Sequence, residues 1–176
     1  MRQAKLKCIE KLKQIKDEEE EVDYKNMGFV NDGLEVKLST LPNAGRGVFV
    51  TRDFLEDQIV CEYSGKVTSI YTFFQHVQYR AQLGKEYTIL GNPHESINPG
   101  CLINDAKDAT KTNCCLYFVP IPSAQLLQYA RLNNTGRKVN CRLFVVAKKD
   151  ISVGSELFLS YGKDYWNHHE QGDVPP

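Results

Sequence analysis

Between residues 34 and 161 the apolar positions recur mostly in twos, as in short strands. Leu34-Glu35-Val36-Lys37-Leu38 alternates strictly, Pro42-Asn43-Ala44-Gly45 is turn chemistry, and Gly47-Val48-Phe49-Val50 opens a second strand. Gln58 to Tyr63 reads as a third strand and Tyr87 to Leu90 as a fourth. Between these two, Ile70, Phe73, Phe74, Val77 and Ala81 follow a helical spacing that Gly84 ends. This predicts an inserted helix from Ser69 to Leu83, in an insert spanning about 69–84. Residues 91–113 are rich in Gly, Pro, Asn and Asp and read as irregular.

Cys115 to Val119 and Lys138 to Ala147 are strand-like, and Asn133-Asn134-Thr135-Gly136 supplies a turn, so a hairpin is expected over about 115–147. After a turn at Ile151–Gly154, a last short strand runs from Leu157 to Tyr161. The first 31 residues differ in texture. Leu6, Ile9, Leu12 and Ile15 recur in steps of three among Lys and Glu, as in a charged helix from Arg2 to about Asp23. Its basic half precedes its acidic half, against the helix dipole, so its end should fray. The expected layout is an N-terminal charged appendage over 1–31, one mostly β domain with helical insertions over 32–166, and a tail over 167–176.

Charge narrows the choice of partners. The 22 basic and 22 acidic residues cancel, so no global field favours nucleic acid or an anionic membrane. No apolar run approaches the roughly 20 residues of a membrane span. The charged N-terminus does not read as a secretory signal. Six cysteines at irregular spacings, with no C-x-x-C, are expected to be reduced thiols of an intracellular protein. No metal site is expected from them or from His168-His169-Glu170.

Four segments carry candidate chemistry. Ala44-Gly45-Arg46-Gly47-Val48-Phe49 can bring backbone N–H groups close to a ligand. Val60-Cys61-Glu62-Tyr63-Ser64-Gly65 is a strand ending in E-Y-x-G. Gly100-Cys101-Leu102-Ile103-Asn104-Asp105 is followed by Thr112-Asn113-Cys114. The last group is Ala147-Lys148-Lys149-Asp150-Ile151, Gly154-Ser155-Glu156-Leu157 and Ser160-Tyr161-Gly162.

In this order the four resemble the SET domain family of protein-lysine methyltransferases, over about residues 33–166. The Lys163-Asp164-Tyr165-Trp166 continuation resembles small viral SET proteins. The third segment departs from the family's F-I-N-H-S-C-x-P-N-C. Asp105 stands for the histidine, Ala106-Lys107 for serine-cysteine and Thr112 for proline, with four or five residues inserted.

The resemblance implies a SET-type β-fold of several small sheets with knot-like C-terminal threading, a rare exception to unknotted topology. It implies S-adenosylmethionine as cofactor and a lysine side chain as methyl acceptor, with a histone tail as the expected protein partner. Neither nucleic acid nor membrane is an expected partner, and the oligomeric state stays open. Localisation would be nuclear or cytoplasmic, with a role in chromatin regulation. Gly45, Arg46 and Gly47 would hold the methionine part, Asn104 its amino end, and Trp166 the adenine, with Tyr63 also on the cofactor side. Tyr161 would stand where the cofactor and lysine pockets meet, as a catalytic residue with Tyr87. Tyr87, Leu159 and Tyr161 would line the lysine channel. No cysteine follows Trp166, so no zinc-binding tail is expected.

Ordinary readings of the same residues stay open: core tyrosines at Tyr161 and Tyr87, an Asx-turn at Asn104, plain packing at Trp166. Glu62 and Glu156 read as structural. At the level of the whole chain, the alternative is a SET-like module that binds protein or peptide without catalysis. A small nucleic-acid-binding β-domain is disfavoured by the lack of a basic stripe.

Overall fold

The computed structural model describes residues 32–69, 79–83, 87–94, 99–120, 141–163 and 165–166. The expected N-terminal helix, the 133–136 turn and the 167–176 tail lie outside these residues. The rest forms ten short strands in four small sheets, with one 3-10 turn.

The alternating segment forms β1 (Leu34–Leu38), antiparallel to β2 (Arg46–Val50) with Leu34 opposite Val50 and Leu38 opposite Arg46. The connection closes with a Ser39 N–H to Gly45 C=O bond of 2.9 Å. Asn43 and Gly45 both take positive φ, 61° and 68°, the conformation that Asn and Gly tolerate best. β2 is buried from Gly47 onward. It makes a bridge from Phe49 to Glu156, which joins the N-terminal sheet to the C-terminal motif.

β3 (Ile59–Glu62), β8 (Cys114–Pro120) and β9 (Cys141–Ala147) form an antiparallel sheet with β9 in the middle. The two strands expected for the 115–147 hairpin are therefore paired, with Cys114 opposite Ala147. Alternation along β9 divides its side chains between two clusters. Leu143, Val145 and Ala147 enter the main core with Val48, Val50, Phe54 and Leu157, while Phe144 and Val146 pack with Ile59, Tyr117 and Val119. Arg142 grips Glu62 with two bonds of 2.8 and 2.7 Å, fastening β9 to β3. This bidentate pair gives the E-Y-x-G glutamate a structural role.

β4 (Lys66–Ser69), β5 (Arg80–Leu83) and β6 (Tyr87–Leu90) form a third sheet in the order β4-β6-β5. This corrects the two ends of the inserted helix. Arg80–Leu83, expected as its last turn, is a strand, and residues 70–78 lie outside the described residues. Ala81 satisfies the helical spacing, but Ala81 and Leu83 also alternate around exposed Gln82. Pairing with β6 places Ala81 beside Ile89 and Leu83 beside Tyr87, so cross-strand burial outweighs the local period.

The stretch read as irregular contains a buried 3-10 turn, Pro99–Leu102, and then β7 (Asn104–Asp105). β7 runs parallel to β10 (Phe158–Leu159), with Phe158 opposite Asn104 and Leu159 opposite Asp105. Two segments more than fifty residues apart are thereby laid side by side.

Candidate active site

The site is built around the β7–β10 pair. On one side lies the β1–β2 turn. Gly45, at positive φ, has open space where a side chain would be. Gly47 has none: a Cβ there would strike the Glu156 carboxylate and come within 3.3 Å of Asn104 Nδ2. Its missing side chain lets Asn104 and Glu156 approach β2. The Arg46 guanidinium reaches away to the Pro93 carbonyl at 2.9 Å.

Asn104 donates through Nδ2 to the Arg46 carbonyl at 2.9 Å and, more weakly, toward Glu156 Oε1 at 3.5 Å. Both partners accept only, so they fix which end of the amide is nitrogen. Asn104 Oδ1, with no bond to the described residues, is left as an acceptor. A free acceptor beside an open glycine turn fits the amino end of an amino-acid-like ligand. The residues present therefore fit the methionine part of S-adenosylmethionine.

Glu156 organises this end. It accepts the Ser39 hydroxyl at 2.6 Å, the Thr40 N–H at 2.7 Å and the Thr40 hydroxyl. Burial pushes its carboxyl up, but the bonds from Ser39, Thr40 and Asn104 outweigh it and hold the group below the usual carboxylate value. Asn113 secures the following strand by donating to the Glu156 carbonyl and accepting the Phe158 N–H, each at 2.8 Å.

On the other side stands Tyr161. It is 37% exposed, yet its hydroxyl turns inward and donates to the Ile103 carbonyl at 2.8 Å. Burial first, then Tyr165, Asp105, Cys101 and Tyr79, push this hydroxyl well above the ordinary tyrosine value. It remains a neutral donor at any working pH. Tyr165 meets the Tyr161 ring edge-on at 4.8 Å, and Trp166 lies nearly parallel to it, at 12° and 6.0 Å.

Gly45, Arg46, Gly47 and Asn104 thus form one group, and Tyr161 and Trp166 another, joined through the 103–105 segment. Leu159 is buried opposite Asp105. Tyr63 is a buried core residue whose hydroxyl is pushed up by burial and by nearby Cys101, Tyr161 and Tyr165. Tyr87 is half-buried at the start of β6, packed on the core, and makes no ring contact with Tyr161. Among the described residues, the rings that meet Tyr161 are those of Tyr165 and Trp166, and of these the sequence reading assigned a cofactor role to Trp166 alone. It also passed over Asp105 and left Asn113 without a role. Asn113 could have been found inside its motif; Asp105 carried no local signal.

The sequence matches the SET domain family over residues 45–162. Among curated proteins it is similar to N-lysine methyltransferase KMT5A of Xenopus tropicalis, 30% identical over 140 residues, which are 72% of this chain and 36% of the relative. It is also similar to KMT5A-A of Danio rerio, 27% identical over 83% of this chain and 40% of the relative. The chain therefore spans well under half the length of these relatives. Among solved structures, that of ATXR5 in complex with histone H3.1 resembles this fold with a TM-score of 0.56 and 19% identity, over 74% of this chain and 57% of that one.

Proposed function

Since the chain belongs to the SET domain family, we propose that it is a protein-lysine methyltransferase that uses S-adenosylmethionine and acts on a histone tail in the nucleus or cytoplasm. The observation that carries the reading is the inward Tyr161 hydroxyl, bonded to the carbonyl of Ile103 immediately before Asn104. It joins the residue suited to an amino-acid end to the residue suited to an incoming amine. The methylated substrate of the KMT5A relatives, by their printed name, is a lysine, and the ATXR5 structures hold histone H3.

When bound, S-adenosylmethionine supplies an electrophilic methyl group on a cationic sulfonium. The protein's task is to present a neutral lysine in line with it. A free lysine amine titrates near 10.4, and aromatic walls that strip its water favour the neutral form. Tyr161 donates its proton to the Ile103 carbonyl. Its hydroxyl orients, and alignment of this kind lowers barriers by several kcal/mol. The knot-like threading of the tyrosine segment past the asparagine segment belongs to the same reading.

The peptide would lie extended beside the β4-β6-β5 sheet, pairing main chain with main chain. The start of β5 supports this placement, because Tyr79 and Arg80 are electrostatic neighbours of Tyr161 and Tyr165. Leu159, without a hydrogen-bonding group, would anchor no water beside the amine, so products beyond monomethyl-lysine are expected. Mass spectrometry at long reaction times checks this, and a reaction that halts at monomethyl with cofactor in excess overturns it.

The decisive experiment is transfer of labelled methyl groups to a histone mixture, with Tyr161→Phe as control. Transfer by the wild type that falls in the variant supports the enzyme. Cofactor or peptide binding without turnover identifies a binding module instead.

A further inference from the structure

Asp105 stands where the family pattern has histidine, and its carboxylate holds three N–H groups. Oδ1 accepts the Lys107 main-chain N–H at 2.7 Å, in an Asx-type turn that carries Lys107 to φ 55°. Oδ2 accepts the Tyr161 main-chain N–H at 2.7 Å and the Trp166 indole N–H at 3.0 Å. The turn also brings the Lys107 ammonium to 3.6 Å from the centre of the Trp166 ring. One side chain on β7 therefore fixes Tyr161, two residues past β10, the indole beyond it and the cation lying over that indole.

The chemistry separates this carboxylate from the residue it replaces. A neutral imidazole has one acceptor nitrogen and an imidazolium none, so neither can take three donors. A carboxylate accepts at about four lone-pair positions, and its charge strengthens each bond. A tryptophan tied to it is held in place, whereas a histidine offers at most one acceptor nitrogen for the Tyr161 and Trp166 donors together.

We propose that Asp105 is a positioning residue, an acceptor-only latch that fastens Trp166 against Tyr161 and so holds the C-terminal segment closed over the site. The latch itself rests on the hydrogen bonds; only its effect on catalysis rests on the methyltransferase reading. It acts through Trp166 on cofactor retention and leaves the Tyr161 hydroxyl bonded to Ile103. Its loss therefore weakens cofactor binding more than turnover.

Trp166 is the only tryptophan in the chain, which makes it a clean reporter. In the full chain without cofactor, Asp105→Ala should shift tryptophan emission to the red and raise quenching by acrylamide. The KM for S-adenosylmethionine should rise about tenfold, as expected for losing a charge-assisted bond, while kcat changes less than about threefold. Asp105→Asn keeps one carbonyl oxygen for the Tyr161 and Trp166 donors, so it should restore the emission and most of the KM. A folded Asp105→Ala protein with unchanged emission overturns the latch. If that variant does not fold, the single indole N–H resonance of the wild type decides. Slow exchange with solvent supports the latch, and exchange as fast as that of a free indole overturns it. An emission shift in a protein that never transfers methyl leaves the latch standing and removes the enzyme reading. Methyl transfer with unaltered emission in the variant does the reverse.

Discussion

The β7–β10 hub and the β4-β6-β5 sheet are both small β-structures, yet they are held together differently. The sheet is local, since all of its strands lie between residues 66 and 90, and Val67, Ala81, Leu83 and Ile89 turn apolar side chains to the core. At its centre the Thr88 hydroxyl is buried without a hydrogen-bond partner among the described residues. The hub is non-local: residues 39–47, 104–105, 113, 156–161 and 166 meet there through carboxylate and amide bonds. Apolar contact tolerates some change in shape, whereas each polar bond at the hub requires its partner in one place. Under the proposed function, the hub would form the cofactor side and the sheet would border the substrate side.

The largest expected effect comes from removing Glu156, one of the hub's two carboxylates. Glu156→Ala removes the acceptor shared by Ser39 and Thr40 and should cost about 2 kcal/mol of stability, read as a lower urea midpoint. An unchanged midpoint would show that the hub is not what holds these segments. The same group sets an acid limit. Its carboxyl is depressed in the folded protein, so its contribution is complete above the unfolded value near 4.5 and is lost as pH falls through the lowered folded value. Glu156→Gln should flatten that acid limb of a stability–pH curve.

Next is Tyr161→Phe, which leaves the hub's carboxylates intact. Turnover should fall at least about tenfold, or ~1.4 kcal/mol of barrier, with a folded protein by circular dichroism. Equal turnover would remove Tyr161 from the chemistry. The raised hydroxyl adds a pH test. Its stabilising contribution is complete below the ordinary value near 10 and is lost only as pH rises toward the higher folded value. The wild-type rate profile should therefore show no limb near pH 10 that the Phe variant lacks.

The smallest effect belongs to the sheet. Thr88→Val has no hydrogen bond to lose, so it should be neutral or stabilise by up to about 1 kcal/mol. A loss larger than that in thermal unfolding would mean that the hydroxyl has a partner and that the sheet is less apolar than its contacts indicate.

Alternation in Leu34–Leu38, Cys115–Val119 and the stretch before Ala147 was enough to place β1, β8 and β9, because period two is a property of neighbouring residues. The order of the four motifs nominated Gly45, Asn104 and Tyr161 as candidate site residues. Arg80–Leu83 was misread because its spacing suits a helix as well as a strand, and only β6 beside it decides between them. Tyr87 was placed at the channel by its position in the motif order; among the described residues, the rings that meet Tyr161 are those of Tyr165 and Trp166.

By itself, then, the sequence determined the class of fold and the strands with clear alternation, and it nominated the candidate site residues, all from local order and spacing. Tertiary structure alone decided that Asn104 would face Glu156, that Asp105 would gather Tyr161 and Trp166, and that the Tyr161 hydroxyl would turn inward. The physical reason is distance along the chain. Asp105 lies 56 residues from Tyr161 and 61 from Trp166, and no local pattern records which donors a carboxylate will meet once the chain has closed.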